Sequence, residues 1–190
     1  MNMERVMERC ARDEGYAPWM YLDSANPPNV TVGKGHLVAD AAQAQKLGFM
    51  VGDRLATSAE VAAEFARVTG APRGHTAAFY QSYSQCRLSS DRIDAILADD
   101  IASHEAAIRA KLPAFDSWPE PVQEAVFDIG FNCGVAGLLG FHRMLAAIAA
   151  HDWQTAGMCS HRKGISDDRN KEIANLFFLA AAGEGGQANG

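Results

Sequence analysis

Apolar residues through the middle of the chain recur at helical spacing, and glycine, proline and capping residues punctuate them. After Ser90, residues Ile93, Leu97, Ile101 and Ile108 fall on one face, which predicts a long amphipathic helix capped by Ser90 and ending before Pro113. Thr57 and Glu60 have the spacing of a capping box, so a helix is predicted from there to about Val68, stopped by Gly70-Ala71-Pro72. Ser117-Trp118-Pro119-Glu120 repeats that spacing with proline at the first helical position, and it opens an apolar helix through Phe131. Ser166 is read as the cap of the last helix, and the glycine-rich end, 183–190, is expected to be disordered. Near the N-terminus the period changes. A first helix should end near Glu14, because Gly15 and Pro18 follow it. Trp19 to Leu22 is a short apolar run, and Val30-Thr31-Val32-Gly33 alternates behind the turn Asn26-Pro27-Pro28-Asn29, which predicts a hairpin. The expected class is α+β, mainly α.

Composition narrows what such a chain does. With 190 residues, 48% of them apolar, it is long enough for one domain with a sizeable core or for two lobes sharing a long helix. The net charge of −6, with no basic stripe interleaved with aromatics, argues against nucleic acid as a partner. The first helix carries Glu4, Arg5, Glu8, Arg9, Arg12 and Asp13 with no apolar core of signal-peptide length before them, so synthesis in the cytoplasm without a signal peptide is expected. His142 and Arg143 interrupt the apolar stretch from Leu138 to Ala150, which reads as a buried helix and predicts no stable membrane insertion. Cys10, Cys86, Cys133 and Cys159 lack C-x-x-C spacing, and Cys159 with His151 and His161 lacks a further ligand pair, so neither a metal site nor a redox pair is expected.

The candidate chemistry lies between Asp13 and His36. A carboxyl at a helix end, Glu14, a second carboxyl on the hairpin, Asp23, and a hydroxyl projecting from the return strand, Thr31, make up a general acid, a general base and a water-positioning group. Each has a plainer reading. Glu14 is one of 23 acidic residues, Asp23 is able to start a turn with Ser24, and Thr31 suits a strand as an ordinary β-branched residue.

Together the residues resemble the phage-type lysozymes, the glycoside hydrolase family that includes the T-even phage lysozyme and the lambdoid endolysins. In that family a Glu closes the first helix, an Asp follows nine positions later, and a Thr precedes a Gly-x-Gly-His turn. Here those are Glu14, Asp23, Thr31 and Gly33-Lys34-Gly35-His36. The stretch between Asp23 and Thr31 is longer than the family's. The segment Val126 to Asn132 resembles the end of the family's central buried helix, and Gly137 to Phe141 the turn after it. Trp153 resembles the residue opening the next short helix, and Arg169-Asn170-Lys171 the start of the last long one.

The resemblance implies a lysozyme-like fold with a small N-terminal hairpin lobe, a long connecting helix and a helical C-terminal lobe. It would form one domain over 1–182, with 12–88 as the N-terminal lobe, 89–182 as the long helix and C-terminal lobe, and helix 1–11 packing on the latter. It implies an endo-acting muramidase that cuts the β-1,4 bond between N-acetylmuramic acid and N-acetylglucosamine by inversion, with Glu14, Asp23 and Thr31 as its catalytic set. Gly35, Leu37, Phe127 and Asp128 would contact substrate, Arg169 would orient Glu14, and His36 would pair with Asp100. No metal or organic cofactor is implied. The partner would be peptidoglycan glycan strands, met as a monomer in the periplasm after holin-dependent release. A toxin-type muramidase with an immunity partner, a non-catalytic wall-binding module and a chitinase-like glycosidase are the alternatives. Residues 45–88 exceed what the family places before the long helix; their aromatics Phe79, Tyr80 and Tyr83 are read as packing, with a sugar-stacking edge as the sharper alternative.

Overall fold

A computed structural model describes residues 1–13 and 15–187, so Glu14 lies outside the described residues. The chain is α+β and mainly helical. It divides into two compact units: Met7–Asp100 form one, and Met1–Val6 with the chain from Ile101 onward form the other. The first helix, α1 (Met3–Asp13), and the long helix, α4 (Ser90–Lys111), contribute residues to both.

The Met7–Asp100 unit is built on a three-stranded antiparallel sheet of β1 (Ala17–Leu22), β2 (Val30–Gly33) and β3 (His36–Val38), in that order. Tyr21 pairs with Thr31 and Thr31 with Leu37, while Leu22 pairs with Val30 and Val30 with Val38. Side chains alternate across a strand, so Tyr21, Thr31 and Leu37 share one face. Leu22, Val30 and Val38 take the other, which joins a core with Met20, Val32, Phe49, Val61, Tyr80 and Ile93. The β2–β3 turn needs left-handed backbone at Gly33 (φ 69°) and Gly35 (φ 84°), which explains glycine at both. A Cβ at Gly33 would also lie 3.3 Å from Ile93 Cγ2.

Residues 45–88 fold into the same unit. After the short α2 (Ala41–Ala44) come a two-stranded hairpin, β4 (Met50–Val51) and β5 (Arg54–Leu55), then α3 (Ser58–Thr69) and a 3₁₀ segment, Ala77–Tyr83. The Thr57–Glu60 capping box is made in both directions. Glu64 is fully buried and accepts from the backbone N–H groups of Gln85 (2.6 Å) and Cys86 (2.9 Å) and from the Ser84 hydroxyl, so its charge is well solvated by donors. Burial, with Glu64 nearby, pushes the Cys86 thiol up to about 12. Tyr80 is fully buried and its hydroxyl donates to Pro72 O at 2.7 Å, which places it in the core and removes it as a sugar-stacking surface.

In the other unit, α5 (Glu120–Leu139) supplies a buried face of Val122, Val126, Phe127 and Ile129, followed by α6 (His142–Ala149), α7 (Trp153–Met158) and α8 (Asp167–Gln187). Gly130 admits Ile108, whose Cδ1 would sit 2.9 Å from a Cβ there. Arg5 of α1 reaches Glu120 and Glu124 at the start of α5, the latter at 2.9 Å. Four expected boundaries shift. Ser89, not Ser90, caps α4, its Oγ accepting from Arg92 N at 3.2 Å. Ser117 turns its hydroxyl to Ala114 O (2.6 Å) and makes no capping box, since Pro119 occupies the cap of α5. The helix does not stop at Phe131 but breaks at Gly134 (φ 72°, ψ 159°) and resumes to Leu139. The last helix continues to Gln187, past Gly183.

Candidate active site

Asp23 follows β1 directly, and the pairing continues through it, Asp23 N donating to Asn29 O at 3.0 Å. By alternation it falls on the face of Tyr21 and Thr31. Its carboxylate closes the hairpin loop: Oδ1 accepts from Ala25 N (3.0 Å) and Asn29 N (2.8 Å), and Oδ2 from Asn29 Nδ2 (2.9 Å). An ionised carboxylate has roughly four lone-pair positions, so three donors leave one open on Oδ2. Asn29, which holds Asp23 through backbone and side chain, was legible only as a turn residue.

Thr31 sits at the centre of β2 and is 3% exposed; its Oγ1 is buried with no hydrogen-bond partner among the described residues. Leaving a hydroxyl unpaired costs about 1–3 kcal/mol, so its burial is informative. Leu37, its neighbour on β3, is 57% exposed and lines a pocket of about 340 Å³ with Phe65 and Thr69. Gly35 serves the turn before it.

Two polar contacts within this unit, a histidine–carboxylate contact and a lysine–carboxylate ion pair, tie the β2–β3 hairpin to the first half of α4. His36 Nδ1 lies 2.8 and 3.0 Å from the two Asp100 oxygens, with both side chains about a quarter exposed, and Lys34 Nζ lies 2.7 Å from Asp94 Oδ1. A second pocket of about 450 Å³ opens beside Asp23, between the hairpin loop and the loop Arg73–Thr76.

The remaining candidates belong to the other unit, and each differs from a surface contact. Phe127 is 1% exposed and Asp128 2%, so neither presents its side chain to a substrate. Asp128 instead receives two guanidinium groups: Arg162 Nη1 at 2.8 Å and Arg169 Nη2 at 3.4 Å. Arg162 is as buried as Asp128 and reaches Asn132 Oδ1 at 3.4 Å, and Asn170 exchanges hydrogen bonds with its backbone. Sequence reasoning missed Arg162. The run Ser160-His161-Arg162-Lys163-Gly164 reads as a solvated polar loop, and nothing local marks its burial. The expected contact of Arg169 with Glu14 lies outside the described residues.

Among the described residues no group of three or more His, Cys, Asp or Glu side chains is placed to hold a metal ion, no disulfide joins the four cysteines, and no single helix is long and apolar enough to cross a membrane. No family model and no curated protein matches the chain.

Proposed function

We propose that the chain is an endo-acting muramidase of lysozyme-like fold, hydrolysing the β-1,4 bond from N-acetylmuramic acid to N-acetylglucosamine. One observation carries this reading: by strand alternation Asp23 and Thr31 fall on the same face of the β1–β2 hairpin, the carboxylate with an open lone pair and the buried hydroxyl without a partner among the described residues. That is what holding an attacking water needs. Glu14, nine positions before Asp23 in sequence, is the proton donor in this scheme.

The reaction then balances without a cofactor. Glu14 gives its proton to the leaving glycosidic oxygen as that bond breaks, and a water held by Asp23 and Thr31 attacks the anomeric carbon from the opposite side and passes its proton to Asp23. A water between carboxylate and sugar requires the wider separation of about 6.5–9.5 Å between the two carboxyl groups, hence a single displacement with inversion. Peptidoglycan strands are the substrate, met in the periplasm after release from the cytoplasm.

One observation favours a second reading. Three hydrogen bonds to Asp23 already give it a structural task, closing the hairpin, which a non-catalytic wall-binding module would also need. Turnover separates the two. Purified peptidoglycan digested with the wild type should yield new N-acetylmuramic acid reducing ends, the α-anomer appearing first by proton NMR. Glu14→Gln should remain folded and lose nearly all activity, because an amide cannot donate the proton. Asp23→Asn retains an acceptor for the loop and should still be severely impaired. No new reducing ends from the wild type would leave the binding module as the surviving reading.

A further inference from the structure

The inserted segment contributes more than core. Its loop Arg73–Thr76 forms one wall of the 450 Å³ pocket, and the hairpin loop from Asp23 to Pro28 forms the other, all within one unit. The inserted wall is firmly held. His75 stacks on Phe79 with ring centroids 3.9 Å apart, and Phe79 meets the edge of buried Tyr80, whose hydroxyl is fixed on Pro72 O. Arg73 is exposed there and makes no ion pair among the described residues, with Asp23 or any other acid. Other arginines of the same unit are occupied: Arg54 grips Glu60, Arg87 lies over Trp19, and Arg67 donates to Tyr83 O. Arg73 therefore has a permanent charge and no evident structural task.

We propose that this pocket is a subsite for a carboxylate carried by the muramyl sugar beside the scissile bond, with Arg73 as its charged partner and the His75 ring as its flank. The inference rests on the muramidase reading and names the substrate feature that this end of the site selects. A neutral sugar can accept hydrogen bonds from a guanidinium but brings no charge to match it, whereas a carboxylate does both. Asp23 in the same pocket repels a dianion such as a phosphate monoester more strongly than a single carboxylate, whose one charge is balanced by one guanidinium fork. Two sources present that chemistry: the stem peptide on peptide-bearing strands, and the lactyl group on strands stripped of peptide.

The test uses the full chain, Arg73→Ala and the conservative Arg73→Lys on three soluble glycans: peptide-bearing strands, amidase-stripped strands, and peptide-bearing strands whose carboxylates are capped as neutral amides. The wild type should prefer carboxylate-bearing over capped strands, and Arg73→Ala should collapse that preference through a KM increase of about five- to tenfold, the size of one partly exposed charge-assisted contact. Arg73→Lys should restore part of it. A preference lost only on peptide-bearing strands assigns the stem carboxylate, one lost only on stripped strands assigns the lactyl group, and one lost on both supports either origin. Equal KM changes on charged and capped strands, or no change, overturn the subsite. Binding gives a readout independent of turnover: His75 ring signals followed by NMR during titration with a disaccharide-tripeptide should shift in the wild type and not in Arg73→Ala. Absent shifts overturn the subsite, whereas shifts without turnover on any strand fail the muramidase reading alone.

Discussion

The strongest electrostatic commitment at the level of single residues is Asp128 with Arg162, two side chains each 2% exposed and 34 positions apart in sequence. Moving both charges out of water is costly, and their attraction repays this only while both are present. Asp128→Ala would leave Arg162 buried without its main partner, and the expected loss is about 3–5 kcal/mol. Replacing both together, as Asp128→Leu with Arg162→Met, should recover most of that loss, because well-packed apolar side chains often substitute for a buried pair at little cost. Urea denaturation of the two single variants and the double variant checks this; equal losses in all three would mean that packing, and not charge, decides the site. Arg169 also reaches Asp128, so Asp128→Ala disturbs the positioning of a second guanidinium as well as stability. The sequence marked Asp128 and Arg169 and suggested for Asp128 a substrate contact, whereas its side chain is buried against Arg162 and Arg169.

Among elements, α3 shows most directly how local sequence becomes stability. Thr57 Oγ1 accepts from Glu60 N at 3.3 Å, Thr57 N donates to Glu60 Oε2 at 2.8 Å, and Arg54 clamps the same carboxylate from β5. The Arg54 hydrogen bonds, with those of Thr57, hold the Glu60 carboxyl down at about 2 against an ordinary 4.5. A depressed carboxyl contributes stability above its unfolded value and loses it as pH falls through the folded one. The advantage of the wild type over Glu60→Gln should thus be full at neutral pH and shrink between 4.5 and about 2. Thr57→Ala should cost about 1 kcal/mol at neutral pH, as loss of a threonine cap usually does. Thermal denaturation across that pH range measures both, and a constant wild-type advantage down to pH 2 would remove Glu60 from the account. This box was legible because its partners stand three residues apart. The same spacing misled at Ser117, where Pro119 takes the cap and leaves the hydroxyl to the preceding turn. The β4–β5 hairpin has strands of two residues each, too short to show a period, and α5 runs past its expected end at Phe131 to the break at Gly134 and then on to Leu139.

For the whole molecule, what the sequence conveyed is what adds up residue by residue: the α+β class, the long amphipathic helix and the net charge. What it withheld depends on contacts distant in the chain, such as the closing of a pocket at Asp23 by Arg73 and His75. The net charge nevertheless carries a prediction that follows from the proposed substrate. Peptidoglycan and its attached polymers are anionic, and a chain of net charge −6 meets them with repulsion at long range. The Debye length falls from about 30 Å at 0.01 M salt to about 8 Å at 0.15 M, so added salt removes the long-range repulsion before it weakens a contact such as Arg73 with a carboxylate. On suspended cell walls, kcat/KM should rise over that range of ionic strength, with kcat changing less because bound substrate no longer feels the approach. On the soluble amide-capped glycan strands, which carry no carboxylate charge, the rate should stay nearly flat. A turbidimetric assay on walls, run beside a reducing-end assay on those strands, reads both slopes. A steady fall with salt from the lowest concentration would mean that cations near the site outweigh the charge of the whole chain, and the search for the wall-facing surface would then begin at Arg73.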